Sequence, residues 1–174
     1  MENIVLEYVW LDGYSTQNLR SKVKVLHTDK LKISLGDIPV WNFDGSSTRQ
    51  APGNASECLL SPVRLYSLTV GHYYVLCEVL NSDGSPHTSN ARSLLREVED
   101  NCNNAEFWWG FEQEYFITKD KNPIGFPETG FPEPQGRYYC SVGGDNAIGR
   151  DIALKHLYFC LRLGMKMTGI NAEV

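Results

Sequence analysis

An α+β fold is what this sequence predicts, and three observations carry the expectation. Apolar and polar residues alternate through most of the first half, which is the period of strands. After Pro86 the apolar spacing changes to that of a helix, and a second helical stretch lies near the end of the chain. Strands that come in a run, followed by helices, belong to α+β architectures and not to alternating α/β ones.

Taken in order, Leu6, Tyr8 and Trp10 alternate with Glu7, Val9 and Leu11, and the run stops at the turn signal Asp12-Gly13. A second run, Leu19 to Leu26, sets Ser21, Val23 and Val25 against Arg20, Lys22 and Lys24. The two runs predict an antiparallel pair with one wet, basic face. Further strands are expected at Val63–Val70 and Tyr73–Leu80, with a polar loop, Asn42–Ser56, between the two pairs. Leu94, Leu95, Val98 and Cys102 then follow helical spacing, with Ser89 or Asn90 as the cap. A strand is predicted through Phe107–Thr118. The Pro- and Gly-rich stretch Asp120–Gly136 reads as a long loop, of the kind that is functional or disordered. A helix is expected over Ala147–Leu163, with Ile152, Ala153, Leu157, Cys160 and Leu161 on one side and Gly164 as its stop. Met167–Val174 reads as a strand that begins with no turn or cap behind it, so the chain is expected to be cut short. The expected domain boundary is Ser85–Asn90, leaving one domain over residues 4–86 and another over 91–174.

With 174 residues the chain can form one domain or two small ones. Its net charge of −5 gives no electrostatic reason to expect a nucleic-acid partner. No apolar run approaches the ~20 residues of a membrane span, and Met1-Glu2-Asn3-Ile4 does not open a secretory signal. Five cysteines without a CxxC pair fit reduced thiols in a cytoplasmic protein better than a disulfide framework or a zinc site.

Three stretches carry candidate chemistry. In GFEQEYF, Gly110–Phe116, a strand would place Glu112 and Glu114 on one face, roughly 7 Å apart at Cα. Such a pair is either a solvated sheet edge or half of a metal site. The aromatic residues around it argue against full solvation, and hard divalent cations take oxygen ligands of this type. WNFDGSSTRQAPG, Trp41–Gly53, is either a turn-rich surface loop or a loop that presents Asp44 as a charge or base, with Ser46 and Ser47 as donors. Gly143-Gly144-Asp145 and Gly149-Arg150-Asp151 open the last helix; lacking a P-loop Gly-Lys-Ser/Thr or a full GxGxxG, they read as a capped helix start. The four histidines show no ligand spacing, and His156 reads as a packing or surface residue.

Together, WNFDGSST, GFEQEY, GFPEPQGRYYCSVGGDNAIGRDI and GINAEV stand in an order and spacing that resemble the class II, eukaryotic-type glutamine synthetase family, N-terminal half only. The resemblance runs from about Tyr8 to Val174. It implies a β-grasp-like N-terminal domain followed by the start of a catalytic α+β domain. It further implies an ATP-dependent ligase that joins ammonium to L-glutamate through γ-glutamyl phosphate. Phosphoryl transfer between anions calls for Mg²⁺ or Mn²⁺. By the resemblance, Glu114 and Glu173 match ligands of the metal near the substrate amino acid, and Glu112 a ligand of the metal beside the ATP phosphates. Asp44 matches the residue that binds ammonium and takes its proton, and Tyr139 an aromatic near the ammonium pocket. Ser47 is expected to shape the Asp44 loop.

The family also implies a homo-oligomer, a ring of ten subunits, with active sites between neighbours and the Asp44 loop reaching into the next subunit. Glu133, Arg137, Ser141 and Gly144 depart from the family pattern PGPQGPYYCGVGAD, and Arg137 in place of proline is expected to alter loop behaviour without loss of chemistry. Family members run to roughly twice this length, as enzymes of two unequal domains do. The chain alone, without the remaining ligands, is therefore expected to be inactive and poorly soluble. Two other readings stand beside this one: a non-catalytic homologue that binds or regulates a full-length synthetase, and a ligase that uses an amine other than ammonia.

Overall fold

The computed structural model describes residues 2–30, 32–102, 106–134, 136 and 138–173. The expectations placed on Arg137 and on Val174 lie outside these residues. The chain divides into two units, Met1–Phe107 and Trp108–Val174.

The first unit is built on a five-stranded sheet. Strand β1 (Glu2–Leu11) pairs antiparallel with β2 (Leu19–Thr28) and parallel with β5 (His72–Asn81). Strand β4 (Glu57–Thr69) pairs antiparallel with both β5 and the short β3 (Trp41–Asp44). The order β2-β1-β5-β4-β3, with the parallel pair at its centre, is β-grasp-like. The four strands expected in this unit are all present and longer than their apolar runs. Strand β3 is new: it falls where a polar loop was expected, because only Trp41 and Phe43 of its four residues are apolar. Pro62 sits inside β4 without loss, since β3 pairs only with Glu57–Leu60 and the ladder to β5 shifts register at Pro62/Arg64.

Alternation along β1 turns Ile4, Leu6, Tyr8 and Trp10 inward, and they pack with Phe43, Cys58, Leu60, Val75, Cys77 and Val79. The sheet curls until its two ends approach each other across this core. Lys22 of β2 donates to the Asn42 carbonyl of β3 at 2.9 Å. Its Nζ lies 3.6 Å from the Trp41 ring centroid and that of Lys24 lies 4.8 Å away, so the lysines bridge the open seam through cation–π contact. This corrects the expected wet, basic face. Arg20, Lys22 and Lys24 are the half-buried side of β2, while Val23 and Val25 are exposed. The aromatic rim of the curl offers the lysines a better partner than water offers, and their stems cover the core as they reach it.

Leu60 is fully buried, and Leu60→Ala is expected to destabilise the unit by about 2–5 kcal/mol in urea unfolding. Burial, and then the neighbouring Cys77, push the Tyr8 phenol from 10.0 up to about 12, and burial pushes the Cys77 thiol to about 12 as well. Tyr8 also donates to the Pro39 carbonyl at 2.7 Å. Both are acids whose neutral form the fold favours. Their contribution is complete below the unfolded values and is lost as pH rises towards about 12. Unfolding free energy should fall over that alkaline window, and Tyr8→Phe should flatten the part above pH 10.

The β1–β2 connection is closed by Asp12, which is buried. Its carboxylate accepts from the backbone of Tyr14 (3.2 Å) and Asn18 (3.0 Å) and from Arg20 Nε (3.0 Å). Desolvation alone would raise the Asp12 pKa; these donors outweigh it and hold the group below its ordinary value. Helix α1 (Ala91–Asn101) starts at Asn90, whose side chain accepts from the Ser93 amide at 3.1 Å. Arg96 of α1 reaches Glu78 of β5 at 2.9 Å, while Leu94, Leu95 and Val98 stay exposed.

In the second unit the expected strand Phe107–Thr118 is not formed. Only Thr118–Lys119 (β6) pairs as a strand, with Asn122–Pro123 (β7); the Ile117 carbonyl accepts from the Ile124 amide at 2.8 Å, and residues 106–117 belong to no strand. A strand needs a neighbour for its amides, and alternating side chains alone do not supply one. Residues 167–173 form no strand either, although the Ala172 carbonyl accepts one backbone bond, from the Cys140 amide. Helix α2 (Arg150–Arg162) does form, following Gly149 at φ 81°. It ends in a Schellman closure: Gly164 (φ 80°) donates to Leu161 at 3.0 Å and Met165 to Cys160 at 3.1 Å. His156 is a surface residue, its ring packed edge-on to Tyr115. All five cysteines are free thiols. No helix among the described residues is long and apolar enough to cross a membrane.

Candidate functional site

Asp44 owes its position to strand alternation. Phe43 points into the core, 7% exposed and 4.9 Å from the Trp10 ring, so Asp44 must face outward. Its Oδ1 accepts from the Ser46 amide at 2.9 Å and the Ser46 hydroxyl at 2.6 Å. Those bonds, led by the hydroxyl, hold the carboxylate below its ordinary pKa and outweigh desolvation. The group is thus a surface anion that stays ionised, with the Ser56 hydroxyl and the Ser47 amide adding smaller lowering contributions.

The turn after it is tightly closed. Residues Gly45–Thr48 form a 3₁₀ turn in which the Gly45 carbonyl receives the amides of Gln50 at 2.8 Å and Ala51 at 3.2 Å, while the Gly45 amide donates to Ser56 at 2.7 Å. Gly45 is required by space: a Cβ there would lie 2.7 Å from Cys58 Sγ. Gly13 in the β1–β2 turn donates to Thr48 at 2.9 Å, and a Cβ on it would lie 2.3 Å from the Arg49 carbonyl oxygen. Thus the loop backbone is packed directly on the neighbouring turn. Gly13, Gln50, His87 and Ser89 all take part in holding the loop, and none of them was singled out from sequence for that role: Gly13 was read as a turn residue and Ser89 as a candidate helix cap. No local spacing marks them, since the bonds by which they hold the loop reach across as many as 39 residues.

The remaining candidates lie in the second unit. Glu112 and Glu114 are exposed on a stretch that belongs to no strand, so no sheet fixes the shared face that a strand would have given them. Glu173 accepts from Asn171 at 2.6 Å. Tyr139 and Glu173 are brought near each other, because the Cys140 amide donates to the Ala172 carbonyl at 2.9 Å. Hydrogen bonding to Cys140, the Cys140 charge and then the Glu173 carboxylate push the Tyr139 phenol above its ordinary pKa. Cys140 holds φ 54°, a left-handed backbone that a side chain adopts only under constraint. Among the described residues no three His, Cys, Asp or Glu side chains gather to hold a metal ion. The carboxylates are of the right chemical type for a hard cation, but their arrangement here does not fit one.

The chain is similar along nearly its whole length to several curated proteins. It is 47% identical over 172 residues to "Glutamine synthetase" of Streptomyces viridochromogenes, covering 97% of this chain and 50% of that protein. It is 43% identical to "Glutamine synthetase, chloroplastic" of Chlamydomonas reinhardtii, over 97% of this chain and 48% of the relative. "Glutamine synthetase 2 cytoplasmic" of Drosophila melanogaster is also 43% identical, over 99% and 47%. The chain therefore spans about half the length of the curated relatives it matches. No family model matches it.

Proposed function

We propose that this chain, related to the glutamine synthetases over nearly all of its length, supplies the ammonium-binding loop and part of the catalytic domain of a glutamate–ammonia ligase. In that reaction the γ-carboxylate of L-glutamate attacks the γ-phosphorus of ATP and ADP leaves. Ammonia then attacks the γ-carbonyl of the acyl phosphate, phosphate departs, and one proton is left on the new amide nitrogen to be removed. Asp44 is the residue assigned to that nitrogen. As an ionised carboxylate it attracts ammonium and accepts one of its protons, which gives the ammonia that attacks; the proton left on the nitrogen after attack goes to the departing phosphate. Tyr139 is assigned to the wall of the same pocket.

Glu112, Glu114 and Glu173 are assigned as part of a carboxylate set for Mg²⁺ or Mn²⁺, an assignment that rests on their match to the family motifs. When bound, such ions would neutralise the charge that builds up during phosphoryl transfer. We assign the active protein to a homo-oligomer in which the Asp44 loop of one subunit faces the catalytic domain of its neighbour, a ring of ten by analogy. The free thiols favour a reducing, cytoplasmic setting.

The observation that carries this reading is the near end-to-end similarity, joined to an Asp44 loop that is folded and held. Its test is reconstitution. The chain is co-expressed with the remaining half of the Streptomyces relative, and glutamine is measured with glutamate, ATP and ammonium. Product that requires all three is expected. A compact assembly that consumes ATP only with another amine would overturn the choice of ammonia, and one that never consumes ATP would overturn the ligase.

A further inference from the structure

Residues far apart in the chain close a ring of hydrogen bonds behind the Asp44 loop. Gln50 is buried and donates its side-chain amide to the Ser89 hydroxyl at 2.8 Å and to the Leu11 carbonyl at 3.1 Å. Its amide oxygen receives the Thr48 hydroxyl at 2.8 Å, so every polar atom of that side chain is used and its orientation is fixed. The Ser89 hydroxyl lies 2.8 Å from His87 Nδ1, which also receives the Ser89 backbone amide at 3.0 Å. A backbone N–H can only donate, so Nδ1 must carry the lone pair. The proton of the neutral ring is then on Nε2, which donates to the Gln50 backbone carbonyl at 2.5 Å. The ring thus runs from the Gln50 side chain through Ser89 and His87 back to the Gln50 backbone. From Gln50 the Gly45 carbonyl is one hydrogen bond away, at 2.8 Å, and Gly45 adjoins Asp44.

We infer that His87 is a positioning residue for the Asp44 loop: as its Nε2–H tautomer it latches the loop through the Gln50 carbonyl to the segment leading into α1. The importance of that loop for catalysis rests on the function proposed above; the latch itself does not. Other bonds hold the loop to the β1–β2 turn, through Gly13, and to β1, through Gln50 and Leu11. Among the described residues, only the His87 contact ties the Gln50 carbonyl to the lead-in of α1; the other donor to that carbonyl is the Cys58 thiol of β4, at 3.7 Å. Losing it would free the 45–51 backbone while the sheet stays paired.

The test compares His87→Asn with His87→Gln in the full 174-residue chain at low micromolar concentration. Glutamine places an amide donor near the position of Nε2, whereas asparagine is too short to reach Gln50. Amide hydrogen exchange across residues 45–51 should speed up roughly tenfold in His87→Asn, stay near wild type in His87→Gln, and leave β1 and β5 unchanged in both. Long-range ¹⁵N correlation on the histidine ring should report the Nε2–H form in the wild type. Unchanged loop exchange in His87→Asn, equal loosening of the sheet and the loop, or the Nδ1–H tautomer would each overturn the latch. Ser89→Ala removes one hydroxyl with little risk to folding and should loosen the same segment by a smaller factor; loop exchange unchanged in that variant would also overturn it. In the reconstituted ligase, a loosened loop with an unchanged ammonium KM would uphold the latch and count against the role of Asp44.

Discussion

Treated briefly with a nonspecific protease, the 174-residue chain is expected to lose the second unit and keep the first, with cleavage after about residue 107 faster by on the order of a hundredfold than cleavage within the sheet. The reason lies in what each unit buries. The first closes its strands around Leu6, Tyr8, Leu60 and Val75, all fully buried. In the second, Cys160 is the one buried apolar residue among those described, while Trp108, Phe111 and Phe131 are 98%, 87% and 94% exposed. Ordering a residue costs about 1–2 kcal/mol in backbone entropy, and burying a large apolar side chain returns about 1.5–3 kcal/mol. A unit that leaves its aromatics in water does not offset the first term with the second. The same exposure should make the chain by itself prone to association, and its ungathered carboxylates should leave it without ligase activity. A monodisperse, protease-resistant sample that formed γ-glutamyl phosphate unaided would overturn both expectations.

How far the sequence foretold this division depends on where each residue finds its partners. Strand β1 was legible because its alternation is local, and Asn90 was legible as a cap because it bonds three residues ahead. The inward turn of Lys22 and Lys24 was not, because Trp41 approaches them only after the sheet has curled. The expected strand through Glu112 and Glu114 had the right alternation and aromatic content, yet no neighbouring strand pairs with it here. The site shows the same pattern. Asp44 could be picked out from a motif and its exposure derived from Phe43 beside it. The ring through Gln50, Ser89 and His87 joins residues that no periodicity connects, and glycine at 13 and 45 is explained only by what presses on it. Tyr139 and Glu173 were named separately, and their proximity comes from the backbone bond between Cys140 and Ala172.

Replacing Asp44 with asparagine in the reconstituted ligase should lower kcat by about 10²–10⁴-fold and raise the ammonium KM, with the loop still folded. Asparagine separates the two roles that Asp44 could have. It is as good a cap as aspartate, so its oxygen can still accept from the Ser46 amide and hydroxyl that now lie 2.9 and 2.6 Å away. It carries no charge to draw ammonium and no basic oxygen to take its proton. If Asp44 served only as the cap of the Gly45–Thr48 turn, the variant would be close to wild type in rate as well as in stability. A second variant reads the charge directly through pH. The Ser46 bonds hold the Asp44 pKa below the ordinary carboxylate value, so ammonium affinity should persist to correspondingly low pH and fail as pH drops through that lowered value. In Ser46→Ala the backbone amide remains but the hydroxyl is gone, and the acid limb should move to higher pH. An acid limb that stays in place would mean that another group controls it, because removing the largest lowering contribution to Asp44 must raise that pKa.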